Sequence, residues 1–589
     1  MHNSVSSVSL QSAQAAPLER FAPMWVVKVQ DVLKMKGKLR PHQALKHEGL
    51  LFLRESLDHQ LLVLFVSHQW VGRNHPDAKG EQLLALQSVL KKIHAGEILV
   101  EDNYVSQWQQ QKRTVLSRSH CTKLLDAYIW YDYFGVPQQN EEVSVDREEQ
   151  LAHIVSIPYY VNSCHIFLAL TPSLKNESGR SLDYWSWLSR GWCRLEMWCK
   201  QLSDTSDIPV IVVESGETAH FVLPRWLQYP VSAGDFAVEA DRFHCCQTVR
   251  KALESKLSKL YKRNMNQFRF FTARFDRMVG LPPTTRSLED FWGDFHLLPG
   301  EFEQKGLSPV LCATLAEDTQ ILRRLAVARA SLEPVAPEMK FLNIGAGFRP
   351  LHLAATFASH NLPLLETLLE LRANPNSSPL LSVTPLACCL SAGAVELLVR
   401  HMADVNGRCG IFGFRPIHNL CTEGAELRAI DKLLELRADP NGGKGGAASV
   451  PPLATLCTAG CGALESAQRL LDQKADVNQR CQPAGRFRTL ELSCRAVGLC
   501  RGAPGIFVNI FSNISTTPLG SCAMTDQKDL ATFLLLARAD PEIPNNRGQR
   551  AADLAVSRQM RELLQEPLSS LEARLDPIHL PDELVAEYL

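Results

Sequence analysis

A four-residue phrase recurs through the second half of this 589-residue chain. Each copy reads Ala, Asp or Asn, Pro or Val, then Asn, and follows closely on adjacent leucines. Full copies stand at Ala373–Asn376, Ala403–Asn406, Ala438–Asn441 and Ala475–Asn478, with a shortened copy at Ala539–Pro541. The turn-forming aspartates are Asp404, Asp439, Asp476 and Asp540. A leucine-rich helix end followed by such a turn, at a period of roughly 30 to 40 residues, is typical of a solenoid, which presents a binding surface.

A proline at the expected first position of a helix marks the other end of each unit. Proline suits that position because its missing N–H would be unpaired there, and a preceding Ser or Thr can cap the free amides. The prolines are Pro309, Pro350, Pro385, Pro416, Pro452 and Pro518, at spacings of 41, 35, 31, 36 and 66 residues. A last helix start falls at Ala551, 33 residues beyond Pro518. The two marks predict about seven repeats over residues 306–566.

Together the two marks resemble those of the ankyrin repeat. Pro350-Leu351-His352 and Pro416-Ile417-His418 are similar to that family's Thr-Pro-Leu-His helix start, and the recurring phrase is similar to its Gly-Ala-Asp-x-Asn loop. The resemblance implies an all-α solenoid of helix pairs. It also implies protein partners, held on the concave face and the loop tips of the array.

One interval between the prolines is too long by about one unit. The stretch Thr489–Thr516 holds two cysteines, a Gly-Ala-Pro-Gly turn and the apolar run Ile506–Val508. Skipping these 28 residues shortens the interval from 66 to 38 residues. Three hypotheses fit: an inserted loop, a mis-joined piece of the coding sequence, and an eroded repeat that begins near Thr489. Sequencing the mature transcript tests the second of these.

Four apolar runs in the N-terminal half predict strands that are buried on both faces, as in a parallel sheet. The runs are Leu61–Val66, Ala127–Tyr131, His165–Leu170 and Pro209–Val213, and helical patterns between them are Gln82–Ile93, Arg147–Ile157 and Trp192–Leu202. This alternation predicts a doubly wound α/β domain over residues 19–220. Polar residues follow the runs at Ser67, His68, Asp132 and Thr171. Because the carboxyl ends of parallel strands share one edge of the sheet, we expect a pocket there.

Two motifs in this domain resemble the TIR (Toll/interleukin-1 receptor) family, whose fold is flavodoxin-like. Phe65-Val66-Ser67-His68 is similar to the family's Phe-Ile-Ser-Tyr strand, and Gly191-Trp192-Cys193-Arg194-Leu195-Glu196 is similar to its Trp-Cys-x-x-Glu helix start. In enzymatic members that Glu is the catalytic residue of NAD⁺ cleavage. The resemblance implies Glu196 as the catalytic residue. It implies substrate-binding roles for Ser67, His68, Trp70, Asp132 and Trp192, with NAD⁺ as substrate and no bound cofactor.

The chemistry of NAD⁺ cleavage suits a single carboxylate. Breaking the nicotinamide–ribose bond builds positive charge on the sugar, as in other glycosyl transfers. Nicotinamide leaves as a neutral molecule, so no general acid is required. Glu196 could bind the ribose and stabilise the cation, with Trp70 or Trp192 stacked on the ring. The alternative is structural: Arg194 and Glu196 as surface helix residues and Trp192 as core packing.

Composition excludes several other classes. The formal net charge is −1 and the pI is near 7.0, so the whole chain has no bias toward nucleic acid. The 17 cysteines include no C-x-x-C pair, and we expect no metal site. No apolar run is long enough to span a bilayer. Residues 1–18 lack the features of a signal peptide and are predicted to be a flexible tail, so we expect a cytoplasmic protein.

A helical linker is predicted over residues 221–305, and a C-terminal tail over residues 567–589. Within the linker, His244–Phe271 reads as one long amphipathic helix with a basic face. A basic face can bind an acidic partner, a membrane surface or nucleic acid, or it can be merely solvated.

Two functions from different classes follow. In the first, the protein is a signalling adaptor or scaffold: the repeats bind a protein partner, and the TIR-like domain binds or self-associates. In the second, that domain is an NAD⁺ hydrolase gated by the repeats. The adaptor is favoured because its evidence spans about half of the chain, whereas the enzyme depends on one short motif.

Overall fold

The structure is a computed structural model. It describes residues 19–102, 107, 113–138, 147–205, 207–222, 226–300, 302, 306–342, 344, 347–378, 383–409, 413–423, 427–443, 448–459, 463–500 and 505–573. The predicted tail at residues 1–18 and residues 574–589 of the C-terminal tail lie outside the described residues. The chain forms two compact units, Met1–Ala330 with Pro337–Gly345, and Ser331–Ala336 with Ala346–Leu589.

The first unit is built on a seven-stranded, mostly parallel sheet. Its strands are β1 Trp25–Lys28, β2 Leu51–Leu53, β3 Val63–His68, β4 Tyr128–Tyr131, β5 Ile166–Leu170, β8 Ile211–Val213 and β9 Ala219–Phe221, whereas β6 Leu174–Lys175 and β7 Ser181–Leu182 lie outside this sheet. The order across the sheet is β2-β1-β4-β3-β5-β8-β9. Strand β3 is parallel to β4 and to β5, and β5 is parallel to β8. The four strands predicted from apolar runs are therefore confirmed as β3, β4, β5 and β8.

Three further strands border the parallel core and were not predicted. Strands β1 and β2 pair antiparallel beside β4, and β9 pairs antiparallel with β8. They are only three or four residues long, too short for a clear period-two pattern. A further two-stranded sheet joins β6 to β7.

Helices cover both faces of the sheet and enclose its core. Leu64, Val66 and Ile129 belong to a cluster with Leu86 and Leu90 of the helix Glu81–Ala95. Toward the other face the rings of Phe65, Trp130 and Phe167 stack at centroid distances of 4.4 and 5.0 Å. Further helices of this unit are Val29–Val32, His42–His47, Arg118–Lys123, Asp132–Gly135, Arg147–Val155, Ile157–Asn162, Tyr184–Ser189, Gly191–Leu202, Ala240–Leu260, Met265–Met278, Leu288–Asp294, Pro309–Leu315 and Thr319–Val327.

The single long helix predicted over His244–Phe271 is wrong. The structure has two helices, because Lys262 adopts a left-handed φ of 63° and Asn264 caps the second helix by accepting a hydrogen bond from the N–H of Gln267 at 3.1 Å. Part of the basic face is also used internally. Lys256 and Lys259 both pair with Asp204.

In the described part of the second unit, six short helices or turns are each followed by a longer helix. The first members are Pro350–Phe357, Pro385–Cys388, Pro416–Glu423, Pro452–Ala459, Pro518–Thr525 and Ala551–Leu554. The second members are Leu362–Glu370, Ala392–Arg400, Leu427–Glu435, Ala463–Asp472, Lys528–Leu536 and Arg558–Gln565, and Leu568–Ala573 is the last described helix. Five of the predicted prolines thus begin the first member of a pair, although Pro385 begins a 3₁₀ turn. Pro309 does the same in the first unit.

The described part of the long interval before Pro518 is mostly helical rather than an irregular loop. Helix Gly485–Cys500 starts before Thr489 and is followed by helix Ile506–Ser512. The first helix buries an acid: Glu491 is 0% exposed and pairs with Arg488 and Arg495. Among its outward residues are Leu492 and Val497, 49% and 42% exposed. We call Gly485–Ser512 the insert hairpin.

Candidate functional site

Strands β3 and β4 end side by side, and this places His68 next to Asp132. The His68 Nε2 lies 2.7 Å from Asp132 Oδ1, and its Nδ1 lies 3.2 Å from the carbonyl oxygen of Gln69. Both ring nitrogens of His68 thus face oxygen atoms. The indole N–H of Trp70 donates to Asp132 Oδ2 at 3.0 Å. The carboxylate is therefore held by two side chains that come from the end of the neighbouring strand.

The environment of Asp132 stabilises its ionised form. Burial favours protonation, but the charge of His68 and hydrogen bonds from His68, Trp70 and the N–H of Tyr133 outweigh it and lower the pKa of Asp132. About a third of the side chain, 33%, remains exposed. An ionised carboxylate that is oriented from two sides and still reaches solvent is suited to bind a ligand hydroxyl or cation.

A second polar group joins Ser67 to Glu196 on the helix Gly191–Leu202. Ser67 Oγ accepts a hydrogen bond from Trp187 Nε1 at 2.9 Å, which leaves its proton to be donated to Glu196. Burial raises the pKa of Glu196 to about 8, and repulsion from Asp132 adds to this, whereas the bond to Ser67 opposes it. Glu196 and Asp132 are thus two carboxyl groups whose pKa values are shifted in opposite directions. Such a pair can divide acid and base roles.

The structure brings together five of the six residues predicted for this site: Ser67, His68, Trp70, Asp132 and Glu196. Trp192 is placed differently. Its ring lies edge-on to Phe236, with centroids 6.4 Å apart, and it has no hydrogen bond to the other five among the described contacts. Their functional roles stay predictions.

Two contributors were missed from the sequence. Trp187 positions Ser67 from 120 residues away, and Gln69 is 4% exposed and donates to Asp183 O and Ser186 Oγ at 2.9 and 3.0 Å. The position of Gln69 between His68 and Trp70 is the only feature of the local sequence that could have indicated its role. For Trp187 no sequence signal exists.

In the described part of the chain no three or more His, Cys, Asp or Glu side chains are grouped so as to hold a metal ion. The described helices include none that is long and apolar enough to cross a membrane.

In the second unit, asparagine side chains connect five successive repeats through four links. Asn376 Nδ2 donates to Met402 O at 2.8 Å, and its Oδ1 accepts from the N–H of Asp404 at 2.8 Å. Asn406 makes the same two bonds to Arg437 O and Asp439 N–H, at 2.9 and 3.0 Å. Asn441 and Asn478 continue this asparagine ladder, the former to Lys474 O and Asp476 N–H, the latter to Asp540 N–H.

The recurring aspartates shape the turns themselves. The Oδ1 atoms of Asp404, Asp439 and Asp476 each accept the N–H two residues on at 2.9 Å, and Asp540 does so at 2.8 Å. These are Asx-type turns, in which the side chain replaces a backbone acceptor. The predicted repeat marks therefore have structural roles.

The two histidines of the helix starts connect neighbouring repeats. His352 Nδ1 accepts from the N–H of Arg349 at 3.2 Å, so Nε2 carries the proton and donates to Val383 O at 2.9 Å. His418 repeats this with Arg415 and with Val450 O at 2.8 Å. Burial lowers the pKa of each histidine to about 4, although the hydrogen bonds to Val383 and Val450 act in the opposite direction. Both are buried and neutral at physiological pH.

After the second helix of five of the six pairs, one exposed residue adopts a left-handed conformation. These residues are Arg372, Met402, Arg437, Lys474 and Arg538, with φ between 65° and 69°. Glycine favours this conformation because it has no Cβ. The helix pairs, the asparagine ladder and the histidine bonds between repeats together make the described part of this unit an array of stacked helical repeats.

No protein-family model and no curated protein matches the chain. Among solved structures, it is similar to the ankyrin repeat domain of Bcl-3, a member of the IkappaB family, at 17% identity and a TM-score of 0.31, covering 45% of this chain and 100% of that one. It is also similar to the human ASB11 ankyrin repeat domain, at 21% identity and a TM-score of 0.24, covering 37% and 99%.

Proposed function

We propose that this protein is an adaptor whose ankyrin-repeat array holds a protein partner. The observation that supports this proposal most is the asparagine ladder from Asn376 to Asp540, which stays continuous past the insert hairpin. Repeats in one register present their loop tips side by side. A linear row of tips suits an extended protein surface better than a small molecule.

For the α/β unit we propose a TIR/flavodoxin-like fold and a signalling role by self-association or association with a similar domain. Its four parallel strands, taken in chain order, are arranged second-first-third-fourth, which agrees with the flavodoxin-like order. A reducing compartment, the cytoplasm, agrees with the free thiols of the described residues.

The adaptor proposal is tested with the full-length chain as bait, followed by cross-linking and mass spectrometry. A tip variant carries Glu at Ser378 and Asn546, which are exposed in two different loops, and at Gln482, which is exposed in the two-residue strand Gln482–Pro483. A control variant carries Glu at Met402, Leu464 and Gln473, which are exposed on or just after the helices Ala392–Arg400 and Ala463–Asp472. We expect the tip variant to lose partners that the control keeps. Equal capture by both variants contradicts the proposal.

A second candidate function is NAD⁺ glycohydrolase activity, favoured by the position of Glu196 beside Ser67 and Asp132. The ionised form of Glu196 would stabilise the oxocarbenium-like sugar, and the positive charge of the nicotinamide ring would favour that ionised form. Trp70, held by Asp132, offers an indole face for stacking. Ser67 would orient Glu196.

Nicotinamide release from NAD⁺ tests this candidate. We compare wild type with Glu196→Gln and with the control Glu214→Gln, a carboxyl group elsewhere at the edge of the sheet. Activity is expected to rise toward pH 8 as Glu196 ionises and to fall at least 100-fold in Glu196→Gln, the scale of losing a preorganised charge. Activity that survives in Glu196→Gln rejects this residue, and no release by concentrated wild type rejects the enzyme.

A further inference from the structure

A basic segment packs beside the helix Glu81–Ala95. Residues 33–40 read Leu-Lys-Met-Lys-Gly-Lys-Leu-Arg, four cations without an acid. Lys34, Lys36 and Lys38 are exposed. Lys34 pairs with Asp31 at 3.3 Å. In the described part of the chain Lys36 and Lys38 have no acidic partner.

A cavity of about 490 Å³ lies between this segment and the helix. Its aliphatic walls are Leu33, Met35, Leu83 and Leu84, with Lys34 and Lys36 beside them. Leu84 is 64% exposed although it lines a concave surface. The volume lies within the roughly 300–1,000 Å³ of pockets that bind ligands.

The cavity is held in shape by specific contacts. Gln87 Nε2 donates to the carbonyl oxygens of Val32 and Met35 at 2.8 and 2.9 Å. Gly37 and Gly80 approach so closely that a Cβ on Gly80 would lie 2.2 Å from Gly37 O. His75 Nε2 lies 2.9 Å from Leu39 O. The pocket is therefore preformed, and it would lose little conformational entropy when a ligand binds.

We propose that this pocket binds a segment of a partner protein in which leucine-like side chains are flanked by Asp or Glu. The aliphatic walls would cover the leucine, and Lys36 and Lys38 would pair with the carboxylates. The unpaired charge of these lysines is what favours an acidic occupant. A concave site with one protruding leucine suits a peptide side chain better than a membrane surface. This site is independent of the repeat array and of NAD⁺ cleavage.

The test measures fluorescence anisotropy of labelled Glu-Glu-Leu-Leu-Glu-Glu with the full-length protein. Peptides with Ser-Ser in place of Leu-Leu, and with Lys in place of Glu, separate the apolar from the acidic requirement. We expect the first peptide alone to bind. Leu84→Ser should weaken its binding about fivefold, and the double variant Lys36→Glu with Lys38→Glu at least tenfold.

Matched controls are Leu99→Ser, at a leucine that is 48% exposed elsewhere, and Lys123→Glu, also exposed. Thermal melts establish that every variant is folded. Equal binding of the Ser-Ser peptide, or equal weakening by the controls, overturns the proposal. So does the absence of peptide binding, and if phosphatidylserine vesicles then co-sediment with wild type but not with Leu84→Ser, the surface is a membrane site.

Discussion

Asn478 Oδ1 accepts a hydrogen bond from the backbone N–H of Asp540 at 2.8 Å, across 62 residues of sequence. The preceding steps of the asparagine ladder span only 28, 33 and 35 residues. Beside this bond, Thr525 Oγ1 donates to Cys457 O at 2.9 Å, so the helices that begin at Pro452 and Pro518 are neighbours. The insert hairpin is therefore an excursion from the stack, and the repeat after it takes up the register of the repeat before it.

Removing the Asn478 side chain should weaken this junction. Asn478→Ala loses the bond to Asp540 and is expected to lower the free energy of unfolding by about 1 kcal/mol. Asn441→Ala loses bonds to Lys474 O and Asp476 N–H and should lower it by about 2 kcal/mol. Urea unfolding followed by far-UV circular dichroism measures both. If Asn478→Ala is neutral like the surface control Ser493→Ala, the junction does not stabilise the stack.

Deleting residues 489–516 should leave the array folded. The deletion joins Arg488 to Thr517, so the capping hydroxyl of Thr517, which accepts from Gly520 N–H at 3.3 Å, is kept. Unfolding should remain as cooperative as in wild type. Deleting a repeat-length segment of the stack, residues 441–475, is the comparison. If both deletions unfold the array equally, the insert hairpin is part of the fold's core.

Glycine should stabilise the left-handed positions. Arg372→Gly and Arg437→Gly relieve an unfavourable φ of 68° and 67°, and each is expected to raise the free energy of unfolding by roughly 0.5–1 kcal/mol. Glu396→Gly, at an exposed position in the middle of the helix Ala392–Arg400, should instead lower it by about 1 kcal/mol. Urea unfolding of the three variants tests this. A loss of stability in Arg372→Gly contradicts the assigned strain.

Acid should weaken the array through His352 and His418. The folded pKa of each is about 4, below the ordinary value of 6.5. Between these values the unfolded chain binds more protons, so stability is complete above pH 6.5 and is lost as the pH falls toward 4, by roughly 3 kcal/mol per histidine. Unfolding at pH 7, 5.5 and 4.5 measures this. In the double variant with Gln at both positions, the free energy of unfolding should depend less on pH than in wild type. An equal dependence on pH would show that the two histidines do not cause the loss of stability in acid.

Alkali should weaken the α/β unit through Glu196. Its folded pKa of about 8 lies above the ordinary 4.5. The folded state therefore keeps a proton that the unfolded chain has lost, so stability is present below pH 4.5 and is lost as the pH rises to 8, by roughly 4 kcal/mol. All ten tryptophans lie before residue 300, so tryptophan fluorescence follows this unit. Glu196→Gln should be more stable than wild type at pH 8, whereas Glu214→Gln should match wild type. If Glu196→Gln and wild type are equally stable at pH 8, Glu196 is not a buried acid with a raised pKa.

Much of this architecture could be predicted from local patterns. Strand β3 could be predicted because the run Leu61–Val66 is apolar throughout, and the repeats because proline and the Ala-Asp-x-Asn phrase keep one period. The candidate functional site was predicted in part, because Ser67, His68 and Asp132 lie directly where the predicted strands end. Trp187 was missed because its partner Ser67 is 120 residues away, and nothing near Trp187 in sequence reflects that contact.

By itself, then, the sequence determined the α/β alternation, the repeat period and the polar strand ends, since these follow from which faces must be buried and how each turn is capped. Only the tertiary structure decided that Asn478 bonds to Asp540, that Lys256 and Lys259 meet Asp204, and that Glu491 turns inward while Leu492 faces solvent. These pairings depend on how distant segments pack. Local hydrophobic periodicity records burial but does not record the partner.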